Sequence, residues 1–279
     1  MIALSHYQVK TMMDARRNGL ARVKVSLDLN LSMSEVGLEP VGVHLPDGGL
    51  LAWETLAGIA AAESSCFVIQ DGTAHPVQFF SEATGRAYSL YPTAGAPTML
   101  VSGIPMHRIK GTAPHTDTLE KMRAVRPVVG QVLDTATGLG YTAIEAAKTA
   151  AKVTTIELDP AALEVCRCNP WSQGLFGNPK ITQIIGDSFD VVLELDEATY
   201  TRIIHDPPAF ALAGDLYSGE FYRALHRLLR NNGRLFHYVG DPESKSGHSI
   251  TVGVMRRLEQ AGFREVHRAP RAFGVTAVK

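Results

Sequence analysis

Four carboxylates that end four apolar runs are the residues of this chain whose types and spacing point most directly to chemistry. Asp134, Glu157, Asp187 and Asp206 follow one another in the second half of the sequence. A carboxylate accepts hydrogen bonds from hydroxyl and amino groups. Each acid alone could equally be a solvated strand end or a helix cap. Their regular succession favours a binding site for a polar ligand.

A turn rich in glycine follows the first of these acids. Thr137, Gly138 and Gly140 lie between Asp134 and a run of helix formers that starts at Thr142. Glycine lets the backbone approach a ligand closely, and the N–H groups at a helix N-terminus then face that ligand. A strand, a tight turn and a helix in this order predict a nucleotide-type site.

The second acid stands at the spacing expected of a ribose contact. Glu157 lies 17 residues after Gly140, and Leu158 follows it. An acid about 20 residues after such a turn accepts hydrogen bonds from ribose hydroxyls in dinucleotide folds. The alternative is a solvated strand end.

These segments together resemble the class I methyltransferases, and the resemblance covers residues 111–279. It implies a Rossmann-like, doubly wound, seven-stranded α/β sheet and S-adenosyl-L-methionine as the cofactor. It places Asp134 near the methionine end of the cofactor and Asp187 at the adenine amine. Ser188 would offer its backbone N–H to the adenine ring. Asp187 could also cap the helix that follows it.

The segment Asp206-Pro-Pro-Ala-Phe210 resembles the Asp-Pro-Pro loop of methyltransferases that act on amino groups. The resemblance implies that Asp206, Pro207, Pro208 and Phe210 form the catalytic loop. Two prolines fix the backbone, which suits a loop that must present acceptors to a substrate. The sequence departs from the family pattern because Ala209 stands where the aromatic residue is expected. His205, just before the loop, is more often a packed residue than a base.

A second family shares this core and gives the main alternative. The segment Leu216 to Leu225 resembles a helix of spermidine and spermine synthases, which use decarboxylated S-adenosylmethionine. That resemblance implies that Asp206 deprotonates the attacking amine. A polyamine pocket should be strongly acidic, and the acids at this segment are only Asp215 and Glu220. A third alternative is a non-catalytic scaffold that only binds the cofactor. The sequence-based prediction is therefore a methyltransferase whose acceptor is a small molecule or an RNA or DNA base.

Composition limits the protein class. The chain has 279 residues, a net charge of -1 and three cysteines. These values are typical of a globular protein in a reducing cytoplasm. Neither a signal peptide nor an apolar run long enough for a membrane span is recognisable. Cys166 and Cys168 lack a second ligand pair, so no metal is expected. A homodimer is a possible assembly.

The order of predicted elements divides the chain near residue 110. Residues 1–110 read as a β-rich domain with a single helix, 54–62, and a long strand, 23–31. Residues 111–279 alternate strands and helices, as expected for a mostly parallel sheet. A capping box at Asp117 to Glu120 and a helix stop at Asn231 to Gly233 punctuate this second domain.

Overall fold

A computed structural model describes residues 1–210, 212–241 and 244–279. The chain forms two compact units. One consists of Met1–His115 with Ala161–Gln173, and the other of Thr116–Pro160 with Gly174–Lys279. The first unit therefore includes a stretch that lies far along the chain, inside the region predicted as the second domain. Within the described residues, no helix has both the length and the hydrophobicity that a membrane span requires.

The first unit is rich in antiparallel strands, which confirms the predicted β-rich N-terminal region. Its sheets have the strand orders β1-β6-β7, β2-β3-β4-β5 and β11-β10-β9-β8. The strands are β1 (Ile2–Leu4), β2 (Arg22–Val25), β3 (Ser34–Leu38), β4 (Gly42–His44), β5 (Leu50–Ala52), β6 (Phe67–Gln70), β7 (Thr73–Pro76), β8 (Gln78–Ser81), β9 (Arg86–Tyr91), β10 (Thr98–Val101) and β11 (Ile104–Pro105).

The helices of this unit correct the sequence-based prediction. Helix α2 (Trp53–Ala61) corresponds to the predicted helix 54–62. The prediction missed a second helix, α1 (His6–Arg17). A capping box between Ser5 and Gln8 starts α1, and its buried face includes polar side chains that obscure the helical period.

The predicted strand 23–31 is too long. It ends at Val25, because the next residues form a turn in which Leu29 and Asn30 adopt positive φ angles. The Ser26 hydroxyl stabilises this turn by accepting from the backbone N–H groups of Asp28 and Asn30.

The second unit is built on a seven-stranded sheet in the described part of the chain, as predicted. Its order is β14-β13-β12-β15-β16-β18-β17, and the first five strands of that order are parallel. Strand β18 runs antiparallel to β16 and to β17. The strands are β12 (Gln131–Asp134), β13 (Lys152–Glu157), β14 (Ile181–Ile185), β15 (Tyr200–His205), β16 (Leu229–Tyr238), β17 (Arg264–Ala269) and β18 (Gly274–Val278).

Helices connect these strands in the alternating order that the sequence predicts. They are α3 (Pro114–Ala124), α4 (Tyr141–Ala147), α5 (Pro160–Arg167), α6 (Ser188–Glu194), α7 (Gly219–Leu228) and α8 (Lys245–Gln260). Short 3-10 helices span Pro170–Leu175, Gly214–Tyr217 and Pro270–Ala272.

Two predicted helix boundaries are wrong. Asp117 is not the cap of α3, which begins at Pro114, so Asp117 lies in the first turn of the helix. Helix α7 ends at Leu228, and Asn231 and Gly233 lie inside β16.

Strand order places two of the acids side by side. Strand β12 lies between β13 and β15, so the chain crosses over at this point of the sheet. Ligands of open α/β sheets bind at the carboxyl ends of the strands, at such a switch point. Asp134 pairs with Ile204 of β15, two residues before Asp206. The apolar side chains of Leu133, Ile156 and Ile203 are fully buried and hold this part of the sheet in place.

Candidate active site

Asp134 is a fully buried carboxylate at the end of β12. Its Oδ2 accepts hydrogen bonds from the hydroxyls of Thr142, at 2.9 Å, and Thr155, at 3.1 Å. Its Oδ1 is buried and accepts no hydrogen bond from the described residues. Burial, and secondarily the negative charge of Asp206, raise the pKa of Asp134 to about 7. An acceptor oxygen of this kind fits a positively charged donor, because burial without one is costly.

The glycine turn has the backbone geometry that the sequence predicts. Gly138 and Gly140 have φ angles of 51° and 74°, and α4 starts directly after Gly140. A Cβ at position 140 would come within 3.0 Å of the Leu175 side chain. Thr137 is buried and shares a 2.7 Å hydrogen bond with the hydroxyl of Thr155. The turn is therefore fixed by both backbone conformation and packing.

Glu157 contacts the glycine turn directly. Its Oε2 accepts from the N–H of Gly138 at 2.9 Å, and its Oε1 accepts from the N–H of Asp159 at 3.2 Å. Burial raises the pKa of Glu157 to about 7. The adjacent Leu158 side chain is about half exposed. The structure thus brings Glu157 to the turn, and its ribose contact stays a prediction.

The third acid caps a helix. Asp187 is exposed, and its carboxylate accepts from the N–H of Phe189 at 2.8 Å at the start of α6. Ser188 is buried and donates its hydroxyl to the carbonyl oxygen of Thr135. The capping role is therefore observed, while the adenine contact of these two residues stays a prediction.

Asp206 forms an ion pair with a lysine that sequence reasoning missed. The Nζ of Lys121 lies 2.6 Å from Asp206 Oδ2 and 2.9 Å from Asp117 Oδ2. The Lys121 side chain is buried, and its Nζ lies 4.5 Å from the centre of the Tyr238 ring. Burial alone would lower the pKa of Lys121, but the two carboxylates reverse that effect and raise it. The ammonium group is therefore charged.

A sequence signal for this lysine exists but is weak. Asp117 and Lys121 are four residues apart on α3, a spacing that usually marks a solvated surface pair. Here the pair is buried, and Asp206 lies 85 positions further along the chain.

The Asp-Pro-Pro loop is anchored by a buried tyrosine. The hydroxyl of Tyr217 donates to the carbonyl oxygen of Pro208 at 3.0 Å. The ring of Phe210 packs edge-to-face on Tyr217, with 5.3 Å between ring centres, and remains about half exposed. The Nε of Arg257 donates to the carbonyl oxygen of Tyr217 at 2.9 Å. The loop backbone is thus held in place at Pro208.

His205 is a packed residue, as the sequence favours. It is fully buried, with Thr135 Oγ1 at 2.7 Å from its Nδ1 and the carbonyl oxygen of Leu216 at 2.9 Å from its Nε2. The carbonyl can only accept, so Nε2 carries the proton and Nδ1 accepts from Thr135. Burial lowers the pKa of His205 to about 3. The imidazole is neutral and cannot supply a charge to the site.

Among the residues that the structure describes, the charges around Asp206 sum to a negative value. The carboxylates of Asp117 and Asp206 both pair with the Lys121 ammonium. Asp134 is a further acid, and the charge of Asp206 raises its pKa. Such a cluster attracts a cationic ligand and repels an anionic one.

Comparison with known proteins identifies the relatives of this chain. Residues 132–266 match the model of the spermine/spermidine synthase domain. The chain is 43% identical to Uncharacterized protein MJ1233 of Methanocaldococcus jannaschii, over 91% of this chain and 88% of that protein. The chain belongs to the same family as this archaeal protein.

Two further similarities are to polyamine enzymes. A polyamine aminopropyltransferase of Sulfolobus acidocaldarius is 33% identical over 34% of this chain and 33% of its own length. The structure of spermidine synthase from Thermotoga maritima has the same fold, with a TM-score of 0.57, 17% identity and 75% of each chain covered.

The methyltransferase prediction is therefore wrong. The domain that matches is that of the spermine/spermidine synthases, and the Sulfolobus acidocaldarius aminopropyltransferase is similar in sequence. The spermine/spermidine synthases use decarboxylated S-adenosylmethionine as a substrate. The comparisons therefore do not support the prediction of S-adenosyl-L-methionine as the cofactor. The Asp-Pro-Pro loop misled the prediction, because a rigid loop that presents acceptors to an amine serves either transfer reaction.

Proposed function

We propose that the chain is an aminopropyltransferase that uses decarboxylated S-adenosylmethionine and an amine acceptor. Asp206 takes a proton from the protonated acceptor amine, and the neutral nitrogen then attacks the carbon bound to the sulfonium. Methylthioadenosine leaves with the electron pair of the broken C–S bond. The observation that carries the proposal is the negative cluster of Asp117, Lys121 and Asp206 beside the buried Asp134.

The charge of this cluster favours the decarboxylated donor. Decarboxylated S-adenosylmethionine ends in an ammonium group, whereas the intact molecule also carries a carboxylate. The Oδ1 of Asp134 is buried and has no hydrogen bond within the part of the chain that the structure describes, so it suits an ammonium donor. A third carboxylate close to Asp134 and Asp206 would be repelled, and burying it without a partner would cost several kcal/mol.

The nucleoside part of the donor fits the other predicted residues. We assign the turn of Thr137, Gly138 and Gly140 to the region of the sulfonium and ribose, and Glu157 to the ribose hydroxyls. Each carboxylate oxygen accepts more than one hydrogen bond, so Glu157 can hold the turn and the ribose together. Leu158, Asp187 and Ser188 are assigned to the adenine.

Product analysis tests the proposal. The protein is incubated with decarboxylated or intact S-adenosylmethionine and a panel of monoamines, diamines and longer polyamines, and products are identified by mass spectrometry. We expect methylthioadenosine and an acceptor heavier by one aminopropyl group only with the decarboxylated donor. The Asp206→Asn variant is the matched control. Transfer of a methyl group from the intact donor, or no transfer to any amine, would contradict the proposal.

A further inference from the structure

Lys121 is an ammonium group enclosed by the protein at the point where the acceptor amine is proposed to lose its proton. It is about 1% exposed. A buried ammonium group requires partners for its charge and its three donors. Asp206 accepts a hydrogen bond from the ammonium group, Asp117 lies within ion-pair distance of it, and the face of the Tyr238 ring supplies a third favourable contact.

Groups from several elements face Asp206, and their charges differ. Helix α3 contributes Asp117 and Lys121, and the end of β12 contributes the acid Asp134, which Asp206 affects electrostatically. Tyr217, from the 3-10 helix Gly214–Tyr217, is also under the influence of Asp206 and is neutral, because its pKa is raised by burial. The neighbouring His205 is neutral as well, and Tyr238 of β16 presents its ring to Lys121. Lys121 therefore supplies positive charge to a carboxylate whose acidic neighbours disfavour ionisation.

We propose that Lys121 is a positioning residue that fixes the carboxylate of Asp206 and keeps it ionised. Asp117 has the complementary task of keeping Lys121 charged and directed at Asp206. The significance for catalysis rests on the proposed role of Asp206 in amine transfer. An ionised Asp206 attracts the cationic acceptor and is ready to accept its proton.

Loss of the Lys121 charge and loss of the Asp117 charge have different predicted effects on the pKa of Asp206. Loss of the Lys121 charge removes an opposite charge from Asp206 and raises its pKa, an effect of about 1–3 pH units for a charge at this distance. Loss of the Asp117 charge removes a like charge and lowers the pKa of Asp206 or leaves it unchanged. A merely structural role would not raise the pKa of Asp206 on loss of the Lys121 charge alone.

The kinetic test compares Asp117→Asn with the double variant Asp117→Asn/Lys121→Met. Methionine keeps most of the volume of lysine, and the Asp117→Asn background avoids a second buried carboxylate without a partner. We expect the acidic limb of the kcat/KM profile to move up by at least about one pH unit in the double variant. Because the carboxylate also loses the group that fixes its position, we expect kcat at pH 7 to fall about tenfold or more, with the KM of the adenosyl substrate nearly unchanged. Profiles that overlay would overturn the proposal.

A titration that does not need turnover separates this inference from the proposed function. Protein labelled with ¹³C at the aspartate carboxyl carbons is titrated by NMR, and Asp206→Asn assigns the Asp206 signal. The wild-type midpoint should lie below the ordinary value of about 3.9, and it should rise in the double variant. A wild-type midpoint at or above the ordinary value overturns the inference even if the double variant does not fold. Absence of aminopropyl transfer with the expected midpoints would contradict only the proposed function.

Discussion

At the scale of the residue, the proposed role of Asp206 requires an ionised carboxylate. Only the ionised form can accept a proton and attract a cationic amine. The Lys121 ammonium, 2.6 Å from one carboxylate oxygen, favours the ionised form, while Asp134 opposes it. The balance between these neighbours determines the pH range in which Asp206 can act.

Substitution of Asp206 should abolish turnover and spare nucleoside binding. Asp206→Asn keeps the shape but cannot accept the proton, so kcat should fall about 10²–10⁴-fold. Calorimetric titration with methylthioadenosine should give an affinity within a few-fold of wild type, because this product lacks the aminopropyl group. Loss of nucleoside binding together with activity would instead mean that Asp206 contacts the nucleoside or is needed for the stability of the fold.

Substitution of Glu157 should have the reverse pattern. Charged hydrogen bonds contribute about 1.5–3 kcal/mol each, so Glu157→Gln should weaken methylthioadenosine binding at least about tenfold. The exposed Glu164, paired with Arg167 on α5, provides the matched control Glu164→Gln. Equal affinities for both variants and the wild type in calorimetry would refute the ribose assignment.

At the scale of the element, two short helical segments position the reactive loop. Helix α3 brings Lys121 to Asp206, and the 3-10 helix Gly214–Tyr217 brings the Tyr217 hydroxyl to the carbonyl oxygen of Pro208. Two prolines limit the motion of the loop itself, and the tyrosine fixes its position relative to the sheet. The geometry of the Asp-Pro-Pro loop thus depends on contacts outside the loop.

Removal of the Tyr217 hydroxyl tests this anchoring. Tyr217→Phe keeps the ring that packs on Phe210 but loses the hydrogen bond to Pro208, which should cost about 0.5–1.5 kcal/mol of stability. Because the loop carries Asp206, we expect kcat to fall several-fold more than in Tyr222→Phe. Tyr222 is a suitable control, since its hydroxyl is also buried and shares a hydrogen bond with His237. Equal kcat values in the two variants, with comparable losses in a thermal melt, would argue against loop anchoring.

At the scale of the whole molecule, a chain of net charge -1 concentrates buried acids at one edge of one sheet. Asp134 is fully buried with its pKa raised to about 7, so the folded state binds its proton more tightly than the unfolded state does. An acid of this kind destabilises the fold progressively as the pH rises through the interval between the two pKa values. The ligand-free protein is therefore free of this penalty below the interval and bears it in full above about pH 7.

The pH dependence of stability should reveal Asp134. Relative to wild type, Asp134→Asn should become more stable as the pH rises from about 4 to about 7, because the variant avoids burying a charge. Denaturant unfolding at pH 5 and pH 7.5 measures the difference. The Asp187→Asn variant, at an exposed position, controls for loss of a carboxylate. If the stability difference between wild type and Asp134→Asn is the same at both pH values, Asp134 does not titrate as proposed.

The sequence by itself determined the order of strands and helices in the second unit and the acids at the strand ends. Apolar runs, glycine turns and helix formers are local signals, so β12 to β18 and the Asp134, Glu157, Asp187 and Asp206 positions follow from them. The same signals failed for α1, whose buried face contains polar side chains. They could not separate methyl from aminopropyl transfer, because both reactions use the same core and a similar loop.

Only the tertiary structure decided which charges meet. Lys121 and Asp206 are 85 positions apart, and nothing in the local sequence distinguishes Lys121 from a surface lysine. The hydrogen bond from Tyr217 to Pro208 and the neutral state of His205 likewise arise from packing between elements. The physical reason is that helix and strand signals depend on neighbours in sequence, whereas burial, ion pairing and proton affinity depend on neighbours in space.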